Sequence, residues 1–180
     1  MMLDILKLQF GDCKFVRNSQ CLSKSSYINT ANTEFYIYDP PNEDQQPIRI
    51  VETGDDYQLI VNNYSNEEIS IVKTDKCLFP NNVLICDCIL FNNNKFYLVE
   101  IKSSGKSTRS QQRHRAVEQL GATIESLTNN AVPLSRLDCK AVICFKLINE
   151  HPIQAARLSK RAEFLAKYKI SLEEGNKIEF

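Results

Sequence analysis

Residues Val83 to Lys102 read VLICDCILFNNNKFYLVEIK: two apolar stretches separated by three asparagines. Val83 to Phe91 and Lys95 to Lys102 are short and rich in β-branched and aromatic residues, and Asn92-Asn93-Asn94 is a turn signal, so the pattern predicts two paired antiparallel strands. Working upstream, Glu68 to Phe79 (EISIVKTDKCLF) has the same character and stops at Pro80-Asn81-Asn82, which predicts the first strand of a three-stranded antiparallel meander. Downstream, Ser103-Ser104-Gly105 breaks the third strand. Ala116, Val117, Leu120, Ile124 and Leu127 then recur at helical spacing, predicting a helix from Thr108 to Leu127.

Asn129-Asn130 and Pro133 end that helix, and Cys139 to Leu147 (CKAVICFKL) predicts a buried strand. A second helix is expected over Ile153 to Tyr168, and Ile170 to Phe180 is expected to close as a hairpin around Glu174-Gly175-Asn176. Phe35 to Tyr38 and Tyr57 to Val61 read as extended, separated by a polar loop from Asp39 to Pro47. The expectation is one α/β domain of the α+β mixed-sheet kind over residues 1–180, with a core at about 68–147, an N-terminal elaboration over 1–67 and a C-terminal helix and hairpin over 150–180.

The 180 residues, 43% hydrophobic and 24% charged, suffice for a real core and exclude disordered or collagen-like chains. No apolar run approaches the roughly 18 residues of a membrane span, and Met1-Met2-Leu3-Asp4 lacks the basic start of a secretory signal, so a cytoplasmic protein with no membrane association is expected. Seven cysteines, at 13, 21, 77, 86, 88, 139 and 144, include no Cys-x-x-Cys pair. They are expected to be reduced and buried as small hydrophobes, with no metal site built on sulfur.

Zero net charge conceals a dipolar chain. Residues 1–94 carry 7 Lys/Arg against 13 Asp/Glu, whereas residues 95–169 carry 14 against 6. The densest basic stretch, Lys102, Lys106, Arg109, Arg113 and Arg115 with His114 inside it, suits a phosphate backbone as well as it suits a solvated helix face.

Three ionisable residues stand where strands bury apolar ones: Asp87, Glu100 and Lys102. Alternation puts Glu100 and Lys102 on one strand face, opposite Tyr97, Val99 and Ile101, and turns Asp87 away from Cys86 and Cys88. If the asparagine turn pairs the two strands, both carboxylates converge beside a lysine, a donor set for a hard divalent cation. An internal salt bridge is the competing reading.

Asp87, then Glu100-Ile101-Lys102 thirteen residues further on, within strand-turn-strand and ahead of a basic helix and another strand, resembles the PD-(D/E)xK nuclease superfamily with its restriction-endonuclease-like fold. The resemblance spans residues ~70–147. It implies a metal-dependent phosphodiesterase with Asp87, Glu100 and the Ile101 carbonyl as ligands of Mg2+, for which Mn2+ substitutes, and Lys102 as the catalytic lysine. Relatives also place a glutamine on the following helix; Gln112 and Gln119 are candidates, Gln119 the better placed. The tyrosine that exonuclease-like branches carry four residues from this glutamine is absent, Thr123 and Ala116 standing there, and Cys86 replaces the proline before the motif aspartate. For a further upstream acid, Glu52, Asp55, Glu67, Glu68 and Asp75 remain open.

On this reading Ser103, Lys106, Arg109, Gln112, Arg113 and Arg115 contact nucleic acid, DNA rather than RNA. The short chain implies a homodimer or a partner protein for target choice, an arrangement seen in bacterial defence effectors. The alternative is a catalytically idle subunit that keeps the fold and binds nucleic acid or scaffolds a complex. A nucleotide-binding loop at Gly105-Lys106-Ser107 is rejected, since Glu100 occupies the place of its leading glycine. His114 reads as a helix-surface residue and His151 as the lead-in to the second helix.

Overall fold

A computed structural model describes residues 2–13, 21–40, 46–52, 55–79, 83–102, 108–145 and 155–180. The turn at Pro80-Asn81-Asn82, the segment Ser103 to Ser107 with its two expected phosphate contacts, Ser103 and Lys106, and His151 to Ile153 lie outside these residues. In chain order the elements are α1 (Met2–Phe10), β1 (Tyr27–Thr30), β2 (Glu34–Tyr38), β3 (Arg49–Val51), β4 (Leu59–Asn62), β5 (Ile69–Lys73), β6 (Cys88–Phe91), β7 (Lys95–Lys102), α2 (Arg109–Asn129), β8 (Asp138–Phe145), α3 (Ala155–Tyr168), β9 (Ser171–Glu174) and β10 (Lys177–Glu179).

The expected meander forms. β5, β6 and β7 pair antiparallel, with Ser70 opposite Phe91 and Cys88 opposite Val99. After α2 the chain returns as β8, parallel to β7, with Glu100 opposite Ile143. The mixed main sheet runs β1-β5-β6-β7-β8-β9, and a second sheet runs β10-β4-β2-β3.

Alternation along β7 shows how the layers stack. Phe96 and Leu98 join Ala116, Leu120, Ile124 and Phe164 in a core between the main sheet and the helices. Tyr97, Val99 and Ile101 turn the other way, against Phe35, Ile37, Leu59 and Val61 of the second sheet. The main sheet is thus covered on both faces, which is why its central strands read as unbroken apolar runs. Glu100, in step with Phe96 and Leu98, falls on the helix side.

Three expectations are corrected. The first meander strand ends at Lys73, where Thr74 to Leu78 bends irregularly with Lys76 at φ 58°, and the second begins only at Cys88. Because residues 83–87 are not strand, strict alternation fails there, and Cys86 packs on the helix side while Cys88 packs between the sheets. The C-terminal strands make no hairpin with each other: β9 pairs parallel with β8 in the main sheet and β10 pairs parallel with β4 in the second.

The cysteines divide into two groups. Cys86, Cys88 and Cys144 are buried in the apolar cores and Cys139 packs against one, as small hydrophobes do. Cys13, Cys21 and Cys77 instead form a buried cluster of their own.

Gly121 marks the closest approach of α2 and α3. A Cβ there would lie 2.5 Å from the Tyr168 hydroxyl and 3.0 Å from its ring. That ring packs at a tilt against Phe164, centroids 4.7 Å apart, and its hydroxyl donates to Glu125 at 2.9 Å, so it has little freedom to retreat. Gly121→Ala gains about 1 kcal/mol of helix propensity against an overpacking cost of about 1–3 kcal/mol. Thermal melts are expected to show a net loss for Gly121→Ala, reversed to a gain in a Tyr168→Ala background; a gain in both would mean the contact is slack.

Candidate active site

Asp87 lies immediately before β6 rather than within a strand, on a segment gripped from two sides. From the bend after β5, the backbone N–H groups of Thr74 and Asp75 donate to the Asp87 carbonyl at 3.1 and 3.4 Å, and the Thr74 hydroxyl donates to the Cys86 carbonyl. From α2, Gln119 donates its side-chain amide to the Ile85 carbonyl at 3.0 Å, and the Thr123 hydroxyl accepts the Cys86 N–H at 2.8 Å. The result aims the Asp87 carboxylate across at β7, where its Oδ2 accepts the Ile101 N–H at 2.6 Å.

Glu100 is fully buried. Its Oε1 accepts from the Lys102 ammonium, and Lys102 also donates to Gln119 Oε1 at 2.9 Å. Asp87, Glu100, Lys102 and Gln119 are therefore brought together. The competing internal ion pair is present too, as the Lys102 to Glu100 contact, yet it engages only one carboxylate oxygen. Glu100 Oε2 is buried with no hydrogen-bond partner among the described residues.

Two further carboxylates belong to this neighbourhood. Asp75, one of the open upstream acids, sits on the bend that holds Asp87. Asp39, not anticipated, follows β2 of the second sheet; its backbone is pinned by Gln58, which accepts the Asp39 N–H at 2.8 Å and donates to its carbonyl at 3.1 Å. Glu67 and Glu68 are engaged elsewhere, by Asn92 at 3.0 Å and Asn29 at 3.2 Å.

The electrostatics are those of acids crowded out of water. Burial, then the carboxylates of Glu100 and Asp39, hold Asp87 well above the usual aspartate range. Burial pushes Glu100 up to about 7, with Lys102 opposing. Asp39 rises to about 6 through burial, against the pull of Lys76, and burial also raises Asp75. Converging carboxylates with an unsatisfied oxygen suit a hard divalent cation, whose charge would meet both the repulsion and the missing partner.

The basic helix start is arranged differently from the expectation of free phosphate contacts. Glu174 of β9 receives Arg113 through Nε at 2.8 Å and Nη2 at 3.0 Å, and Arg109 through Nη2 at 3.3 Å. Both guanidinium groups also lie over the Phe145 ring, at 4.5 Å for Arg109 and 5.5 Å for Arg113. Arg115 is exposed, and His114 is an exposed residue within 3.5 Å of Glu118, as a helix-surface histidine should be. Gln112 is half-buried with an unpartnered Oε1 and makes no described contact with the Asp87 group.

Comparison with family models, curated proteins and solved structures found no match for the chain. Among the described residues, no helix is long and apolar enough to cross a membrane.

The raised acids set a pH dependence. Glu100 has an ordinary value of 4.5 and a folded value of about 7, so between these the folded chain holds a proton that the unfolded chain has lost. Cation-free stability therefore falls as pH rises through that window. Melts in chelator should show this decline, and Mg2+ or Mn2+ should restore stability above about pH 7 but not near pH 5. Glu100→Gln should show a shallower decline, keeping only the share set by Asp87, Asp39 and Asp75, and should lose most of the restoration by the cation; identical pH profiles for parent and variant would mean that Glu100 is already satisfied.

Proposed function

We propose that the chain is a metal-dependent nuclease of the PD-(D/E)xK kind, hydrolysing phosphodiester bonds in nucleic acid, DNA in the first instance. One observation carries the reading: a buried carboxylate pair, Asp87 and Glu100, beside Lys102, with Glu100 Oε2 lacking any described partner. Burying such a group without compensation costs several kcal/mol. A cation taken up at this point removes that cost.

Asp87, Glu100 and the Ile101 carbonyl would hold the ion, with Asp75 and Asp39 adding negative charge around it. A bound Mg2+ or Mn2+ supplies Lewis-acid polarisation of a phosphoryl oxygen and favours deprotonation of an attacking water. Lys102 offers an ammonium to the charge that develops on the phosphate oxygens. Gln119 acts through Lys102: its Oε1 accepts the ammonium while its amide donates to the Ile85 carbonyl, which fixes its orientation. It is a positioning residue.

The second reading, a subunit that keeps this arrangement without turnover, draws on the ion pair of Lys102 with Glu100 and on the engagement of Arg109 and Arg113 by Glu174. Cleavage distinguishes the two. Plasmid, linear duplex, single-stranded DNA and RNA are each incubated with Mg2+ or Mn2+. The parent is expected to cut; Asp87→Ala and Glu100→Ala should abolish cutting, and Lys102→Ala should lower kcat on the order of 10²- to 10³-fold while leaving the cation-dependent melt in place. Gln119→Ala should lose roughly 10- to 100-fold. A parent that binds the cation yet leaves every substrate intact would favour the idle subunit.

Arg115 and Arg113 differ in availability, and binding should reflect it. Arg115→Ala is expected to flatten the dependence of log affinity on log salt by about one unit. Arg113→Ala should change the slope less, since Glu174 already partners it. Equal slopes for the parent and Arg115→Ala would place that arginine off the nucleic-acid path.

A further inference from the structure

We propose that Cys13, Cys21 and Cys77 form a binding site for a thiophilic divalent cation of the zinc class, separate from the carboxylate site and independent of the nuclease reading. The three cysteines come from three segments, after α1, before β1 and in the bend after β5, and all are buried. Their sulfurs lie within 4.8 Å of one another. In a tetrahedral site with metal–sulfur bonds of about 2.3 Å the sulfurs stand about 3.8 Å apart, so a small inward movement closes the triangle.

The surroundings of the cluster are polar, unlike those of the other cysteines. The Ser26 hydroxyl, wholly buried, lies 3.6 Å from Cys77 Sγ and accepts the Cys13 N–H at 2.9 Å. An oxygen ligand in such a tetrahedron would stand about 3.5 Å from each sulfur, so Ser26, or a water near it, is suited to the fourth position. The Ser23 hydroxyl is 3.3 Å from Cys21 Sγ. Without metal, Cys77 and Cys21 point their thiols at the Ser25 carbonyl at 3.6 and 3.8 Å, contacts long enough to yield readily to a metal bond.

Lys73 favours thiolate at the cluster and limits the charge an occupant can carry. Its side chain is 3% exposed, and its ammonium reaches Cys21 Sγ at 3.4 Å and the Ser23 hydroxyl, with no carboxylate partner among the described residues. A buried ammonium requires a compensating anion. A divalent ion held by three thiolates carries one net negative charge, which Lys73 neutralises; a monovalent ion would leave two. Thiolate donors select zinc over magnesium, so the two sites do not compete for one metal. A disulfide that includes Cys21, the cysteine Lys73 touches, would leave Lys73 without its counter-charge.

The site would tie the N-terminal segment to the bend. Cys77 stands two residues from Asp75 on the turn whose N–H groups hold the Asp87 carbonyl. Its function is structural: it fixes that turn.

The test uses the full chain, purified without chelator. Elemental analysis should find about one zinc per chain, and Co2+ exchanged into it should show sulfur-to-cobalt charge-transfer bands, which oxygen ligands cannot give. Cys13→Ser and Cys77→Ser should each lower zinc affinity at least tenfold, while Cys139→Ser and Asp87→Asn keep the zinc. A folded parent that carries no zinc and gives no charge-transfer band on Co2+ addition would overturn the proposal. So would a disulfide within the trio by mass spectrometry, or retention of zinc in the Cys13→Ser, Cys77→Ser double variant. None of these results decides the proposed nuclease reading, which Asp87→Ala and Glu100→Ala test separately.

Discussion

The hydrogen bond from the Ile101 N–H to the Asp87 carboxylate, at 2.6 Å, organises this molecule. It places one acidic side chain in a main sheet covered on both faces, next to a second, Glu100, that is fully buried. Such proximity is unfavourable in itself, because burial and mutual repulsion both disfavour the charged forms. The surrounding structure therefore has to hold Asp87 where it would not go alone. Two N–H groups from the Thr74–Leu78 bend and two side chains of α2, Gln119 and Thr123, do so by bonding to the backbone of residues 85–87. β6 starts late, at Cys88, because the preceding residues bond to the bend and to α2 rather than across a ladder.

The same bend separates two kinds of chemistry. Asp75 adds its charge to the surroundings of Glu100 and bonds through its N–H to the Asp87 carbonyl, while Cys77, two residues on, joins Cys13 and Cys21. Oxygen donors lie on one side and sulfur donors on the other, each with its own lysine: Lys102 against Glu100, Lys73 against Cys21. The positive φ of Lys76, between them, is the local distortion that lets neighbouring residues of one short turn serve both groups. A regular strand would have sent Asp75 and Cys77 to the same face.

Sequence made the central part legible because its signals are local. The β7 strand, the α2 helix and the Asp87, Glu100, Lys102 group could be read from apolar periodicity interrupted by charge at positions where charge is costly, whereas Gln119, like Gln112, is a candidate only through the family resemblance. The strand ends could not be read so well. Glu68 to Phe79 has strand composition throughout, but the chain leaves the ladder at Thr74 to reach Asp87, a tertiary demand invisible in β-propensity. Glu174-Gly175-Asn176 has hairpin chemistry, yet each flanking strand finds a better-buried parallel partner in a different sheet. Cys13, Cys21 and Cys77 read as isolated small hydrophobes because their spacings, 8 and 56 residues, match no short metal motif; their clustering is a tertiary feature.

Asp39 shows why part of the site has no sequence signature at all. It follows a strand of the second sheet, whereas Glu100 lies in the main one, so their proximity is a property of how two sheets pack and not of any motif. That packing is anchored at the C-terminus. Residues 175 and 176 step between layers, with the Gly175 N–H donating to Ile143 at 3.1 Å and the Asn176 carbonyl accepting from Ile60 at 2.9 Å. Beyond them Tyr97 and Lys95 of β7 both donate to the Glu179 carbonyl, at 2.9 Å each. Glu174, just before the step, gathers Arg109 and Arg113 from the start of α2. The last eleven residues thus link the helix layer, the main sheet and the second sheet, and through them Asp39 is held within electrostatic reach of Asp87 and Glu100. Charge that the sequence distributes as an acidic N-terminal half and a basic centre is brought together by the tail: the acids of both sheets crowd toward Lys102, and one tail glutamate neutralises part of the basic helix.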